Sequence, residues 1–81
     1  METATIIAGI ADIVHEVTGA DPAQVLPDKT FMDDLDVDSL SMVEIIYACE
    51  EKFDVTIPDD AFSDIQTVAD AARAIATGLA A

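Results

Sequence analysis

Apolar residues recur at helical spacing near the start of the chain. Ile6, Ile7, Ile10, Ile13, Val14 and Val17 fall on one face at 3.6 residues per turn. The spacing predicts a helix over residues 4–18, stopped by Gly19. Residues 20–37 hold Pro22, Pro27 and a run of aspartates that break regular structure, so they read as a long loop. Such a loop is uncommon in a small domain unless it packs or has a function. Val25, Leu26, Phe31 and Leu35 are the residues expected to pin it. A second helix starts at Asp38, a good N-cap, and runs to Phe53. Met42, Val43, Ile45, Ile46, Cys49 and Phe53 share one arc of it and face the core. The segment TIPDD at 56–60 interrupts the pattern, and a short helix over 59–64 follows, with Asp59 as its expected cap. Thr67 opens a last helix, with Asp70 three residues on in capping-box spacing. Its buried stripe is Val68, Ala71, Ala72, Ile75 and Leu79. No stretch alternates persistently. The expected fold is all-α: a small four-helix bundle of three main helices and one short helix, with a long first loop, in a single domain over residues 1–81.

The 81 residues suffice for one modest core, and at 52% hydrophobic the chain is not a disordered acidic tail. Charge changes the picture more. Seventeen acids stand against Lys29, Lys52 and Arg73, for a net charge of −14. That excludes nucleic acid and anionic membrane as natural partners, since both require cationic neutralisation. It favours proteins with basic patches, met by electrostatic steering. One cysteine rules out an internal disulfide framework. The N-terminus lacks a basic leader pattern, and no apolar run approaches a membrane span. A soluble cytoplasmic protein is expected, and a monomer from its size.

The second helix has two different faces. Glu44 and Glu51 lie opposite the apolar arc, one heptad apart, and Leu40 and Tyr47 lie beside them at the same spacing. A strip mixing acid with Leu and Tyr suits docking: carboxylates steer and apolar side chains supply contact area. The plainer reading is ordinary surface apolar residues. Ser39 sits in the first turn, where backbone N–H groups and the helix dipole favour an attached anion. Its plainer reading is a common helix-start serine.

Other chemistries fit poorly. Asp34, Asp36 and Asp38 open like a calcium loop, but Ser39 stands where the glycine belongs and Ile45 where the bidentate Glu belongs. This leaves at most weak divalent binding at the three aspartates. His15 is the only histidine and has no visible catalytic partner. Cys49 lies on the buried arc and reads as a structural thiol. With no nucleophile–base pair and no Gly-rich phosphate loop, a self-contained enzyme is not expected.

The stretch DDLDVDSLSMVEIIYACEEKFDVTIPDD at 33–60 resembles the core of an acyl carrier protein. The resemblance rests on Asp38-Ser39-Leu40 at the head of the second helix and on Asp34 four residues before Asp38. Glu44, the run Glu50-Glu51-Lys52-Phe53 and the turn Ile57-Pro58-Asp59 extend it. Length, acidity and helix layout agree, so it covers nearly the whole chain. With IIAGIADIVHEVTG at the first helix, the sequence looks most like the discrete carriers of actinobacterial type II fatty acid synthases. The core also resembles the meromycolate-elongation carriers of mycobacteria. Ser41 stands where many bacterial carriers have an acid, and Lys52 breaks an acidic run.

The resemblance implies that a phosphopantetheinyl transferase, using coenzyme A and Mg²⁺, attaches 4′-phosphopantetheine to Ser39, flanked by Asp38 and Leu40. Acyl chains would ride on the arm as thioesters during type II fatty acid biosynthesis. The partners would be the malonyl transferase, ketoacyl synthases, reductases and dehydratase. Asp36, Asp38, Glu44, Glu50 and Glu51 would steer them, and Leu40, Met42 and Tyr47 would make contact. An acyl cavity is expected between the second helix and the last two, lined by Ile46, Ile57, Phe62, Ile65 and Val68. Two alternatives stay open: a polyketide or peptidyl carrier, and a small acidic divalent-ion- or protein-binding module without a covalent arm.

Overall fold

A computed structural model describes residues 1–80 and resolves the chain into α1 (Thr3–Thr18), a 3₁₀ turn (Pro22–Gln24), α2 (Ser39–Phe53), α3 (Asp59–Asp64) and α4 (Val68–Ala80). No strand occurs among the described residues. The expected all-α bundle of three main helices and one short one is what forms. α1 packs against both α2 and α4, and α2 also meets α4. The core is aliphatic, with Ile6, Ile10, Val14, Ile45, Val68 and Ile75 inaccessible or nearly so, and Phe31 as its largest fully buried side chain.

The helix ends follow local chemistry. Gly19 terminates α1 in the left-handed region at φ 80°, and its N–H donates to the His15 carbonyl at 2.8 Å. Asp54 ends α2 in the same region at φ 54°. At α4, Thr67 Oγ1 accepts the Asp70 N–H at 3.1 Å while Asp70 Oδ2 accepts the Thr67 N–H at 3.1 Å, a reciprocal capping box. α3 differs from expectation. Pro58 is its N-cap and makes no side-chain bond there. Asp59 is already helical, so with Asp60 it faces the positive end of the dipole instead of capping it.

The loop before α2 is well tethered. Thr30 and Thr67 form an isolated antiparallel bridge. Around it the Phe31 N–H donates to the Gln66 carbonyl at 3.0 Å and the Val68 N–H to the Lys29 carbonyl at 2.9 Å. Val25, Phe31, Leu35 and Val37 are buried. Leu26, expected as a pin, is 47% exposed. Its backbone is taken up in tight turns, to the Gln24 carbonyl and from the Lys29 N–H, and the neighbouring Val25 goes inward instead. Leu79, expected in the stripe of α4, is 38% exposed. There the close approach is made by Gly78, where a Cβ would stand 3.0 Å from Cβ of Val55. Val43 of the α2 arc is only half-buried.

Candidate functional site

Ser39 is the first residue of α2 and is exposed. The segment feeding it is held from both sides. The Thr30 N–H donates to Asp34 Oδ2 at 2.9 Å and the Asp34 N–H donates back to Thr30 Oγ1 at 3.1 Å. The Val37 N–H reaches the Phe31 carbonyl at 2.8 Å. Asp36 then turns the chain through the left-handed region at φ 55°, which aspartate tolerates better than most residues. Leu35 and Val37 go into the core while Asp36 and Asp38 stay out. The serine thus stands on an anchored turn.

Asp38 caps α2: its Oδ1 accepts the Ser41 N–H at 2.8 Å, and this bond holds its carboxyl below the ordinary carboxylate value. The Ser39 hydroxyl has no hydrogen bond to any described residue and is open to solvent, on a helix start that favours an attached phosphate. An open, unbonded hydroxyl is accessible to a modifying enzyme. Asp34 is also held low, chiefly by the Thr30 backbone N–H. The three aspartates of the calcium-like opening do not converge: Asp34 is tied to Thr30 and Asp38 to Ser41. Among the described residues no three acidic, His or Cys side chains gather as metal ligands.

Leu40 and Tyr47 are 71% and 64% exposed, with Glu44 and Glu51 exposed on the same helix. Met42, expected among the contact residues, is only 3% exposed. It belongs to the core, because it lies on the inward arc with Ile45 and Ile46. Glu50 is half-buried, and its Oε2 accepts the Ile57 N–H at 2.8 Å. Two open hollows flank α3. One of about 270 Å³ lies between α2 and α3 and brings Ile46, Ile57 and Phe62 together. Val43, Tyr47, Glu50 and Asp59 also line it; of these, half-buried Val43 on the apolar arc was the one legible signal. The other, about 580 Å³, lies between α3 and α4 and takes in Ile65. Val68 is fully buried and lines neither. The expected cavity is therefore divided, with α3 between its parts.

Cys49 is buried, and desolvation pushes its thiol up to about 12. His15 is exposed, with Nδ1 3.0 Å from the Ala20 carbonyl oxygen. Neither has a partner for chemistry.

An acidic helical bundle with an exposed, anchored serine at a helix start suits a carrier protein, one that holds a group out for others to act on. The comparisons agree. The family described as phosphopantetheine attachment site matches residues 8–75. The acyl carrier protein of Acidothermus cellulolyticus is 55% identical over 71 residues, 88% of this chain and 84% of that protein. The acyl carrier protein of Thermobifida fusca is 54% identical over 65 residues, 80% of this chain and 82% of that one. The meromycolate extension acyl carrier protein of Mycobacterium leprae is also 55% identical over 65 residues, 80% of this chain but only 56% of its own length. The chain thus spans little more than half of that longer relative. It belongs to the acyl carrier protein family, whose prosthetic group is 4′-phosphopantetheine. No described helix is long and apolar enough to cross a membrane.

Proposed function

We propose that this chain is a single carrier domain that bears its 4′-phosphopantetheine on Ser39 and serves type II fatty acid synthesis in the cytoplasm, without catalysing a reaction itself. When bound, the group supplies a thiol that holds an acyl chain as a thioester. The observation that carries the reading is Ser39 itself: exposed, unbonded, first in α2 and held between the Asp38 cap and Leu40. Its hydroxyl oxygen is the atom that forms the phosphodiester. Asp38 keeps the turn in shape through the Ser41 N–H and leaves the serine hydroxyl free.

The partners are the transferase that loads Ser39 and the synthase enzymes that act on the chain. Exposed Asp36, Asp38, Glu44 and Glu51 steer their basic surfaces, with Glu50 adding charge from a half-buried position. Leu40 and Tyr47 supply contact area, 71% and 64% exposed in the free protein. Such docking is small and weakens with salt, which suits fast exchange of partners. The hollow at Ile46, Ile57 and Phe62 supports shelter for the acyl chain. The equal identity to meromycolate extension carriers favours one further reading, a related pathway extending longer chains.

The test is intact mass after incubation with coenzyme A, Mg²⁺ and a promiscuous phosphopantetheinyl transferase. One phosphopantetheine increment on wild type and none on Ser39→Ala assigns the serine. No increment on folded, initially unmodified wild type removes the reading.

A further inference from the structure

α3 is a strap between two anchors. It has no fully buried residue, and its side chains reach the body only through half-buried Ala61 and Phe62, with Ile65 just beyond. Backbone bonds within it are local: the Phe62 N–H goes to the Pro58 carbonyl and the Ile65 N–H to the Phe62 carbonyl. Its C-terminal anchor is stiff, made of the backbone bonds from Phe31 to Gln66 and from Val68 to Lys29. Its N-terminal anchor is the Ile57 side chain, 7% exposed in the core, together with one side-chain bond to the Ile57 backbone. Glu50 Oε2 holds the Ile57 N–H at 2.8 Å across seven residues, in a part-buried position, and Glu50 itself lines the 270 Å³ hollow. The Ile57 N–H has no backbone acceptor. If Glu50 lets go, that donor is satisfied only by moving toward water, because an unpaired buried N–H is costly. Such a movement carries Ile57 and Phe62 away from α2, and those two side chains form the far wall of the hollow.

We propose that Glu50 is a positioning residue: its bond to the Ile57 amide sets how far the α3 strap stands from α2, and so the length of apolar chain the hollow accepts before the strap must shift. The proposal deepens the carrier reading and rests on it for the identity of the occupant. A carboxylate suits this role because a charge-assisted bond is strong yet stays on a flexible side chain. It closes the hollow around a short chain and yields to a longer one.

The experiment has two arms. In the first, amide hydrogen exchange is measured on the unmodified protein, so its result does not depend on loading Ser39. Glu50→Ala is expected to speed exchange at Ile57 and Phe62 at least tenfold while the Ile10 and Ile75 amides change far less. Glu50→Gln, which keeps an acceptor oxygen and loses the charge, is expected to fall between wild type and Glu50→Ala. In the second arm, hexanoyl, octanoyl, decanoyl and dodecanoyl pantetheine groups are loaded on Ser39 and thermal stabilisation is followed against length. Wild type is expected to level off at a shorter chain than Glu50→Ala. Unchanged Ile57 exchange in Glu50→Ala, equal loss of protection at Ile10 and Ile75, or parallel length series in the two proteins would each overturn the proposal. Failure to load Ser39 on folded wild type overturns the carrier reading instead, and the exchange arm still decides on the latch.

Discussion

Gly9 of α1 lies against the ring of Phe53 at the far end of α2: a Cβ at position 9 would stand 2.6 Å from Cζ of that ring. The absence of a side chain is what lets the two helices close there. Gly9→Ala should gain about 1 kcal/mol in helix propensity and lose about 1–3 kcal/mol to overpacking. The expected net outcome is a lower melting temperature. Adding Phe53→Leu should return part of the loss, since the clashing ring atom is gone. Thermal unfolding of the single and double variants checks both statements.

The capping box at the start of α4 gives a second expectation. Thr67 Oγ1 is the acceptor for the Asp70 N–H, and Thr67→Ala leaves that donor without it. The cost should be about 1 kcal/mol, or roughly 4–8 °C in melting temperature for a domain of this size. Thr67→Ser, which keeps the oxygen, should lose much less.

Acid should weaken the fold in a defined window. Asp34, Asp38 and Asp70 are all held below the ordinary value of 3.8, chiefly by backbone N–H groups of Thr30, Ser41 and Thr67 respectively. The unfolded chain titrates at the ordinary value, so on acidification it takes up protons first. The stability these three contribute is therefore complete above 3.8 and is lost as pH falls through their lower folded values. Urea midpoints measured at about pH 5 and about pH 3 should fall between the two. The fall should be smaller in Asp38→Asn, which keeps a capping oxygen that no longer titrates.

Salt should act on folding and docking in opposite directions. Asp33, Asp34, Asp36 and Asp38 are crowded and exposed on a chain of net charge −14. Raising ionic strength from about 0.01 M to 0.15 M shortens the screening length from about 30 Å to 8 Å and relaxes their repulsion. The melting temperature should rise while affinity for a basic partner surface falls. A melting temperature that stays flat across that range contradicts the first half.

Much of this was legible in short-range pattern. Gly19, Asp38, Thr67 and Asp70 mark helix ends through bonds that span a few residues, so their chemistry shows in the sequence alone. Ser39 was found through the Asp-Ser-Leu triplet and its place at a helix start. The bridge from Thr30 to Thr67 and the bond from Glu50 to Ile57 depend on where distant segments meet, and no local spacing encodes that. The burial of Val37 is not legible, because the alternation in Leu35-Asp36-Val37-Asp38 is too short to separate from loop composition. Leu79 keeps the helical register of the stripe yet stays 38% exposed, because the close approach to Val55 is made by its neighbour Gly78.

Cys49 is inside the core with its thiol pushed up to about 12, from an ordinary value of 9.0. At a given pH it holds far less thiolate than a free cysteine, and burial also bars contact with reagents. Iodoacetamide at mildly alkaline pH should leave it unmodified in the folded protein and label it once urea unfolds the chain.

A cargo held by a thioester is vulnerable to any second thiolate within reach, because sulfur-to-sulfur acyl exchange is nearly isoenergetic. A surface cysteine on the same small body would sit at high local concentration and slowly strip the cargo onto itself. With its one cysteine turned into the core from α2, the body of this carrier offers no surface thiolate, and transfer of the cargo to its own cysteine is blocked by packing.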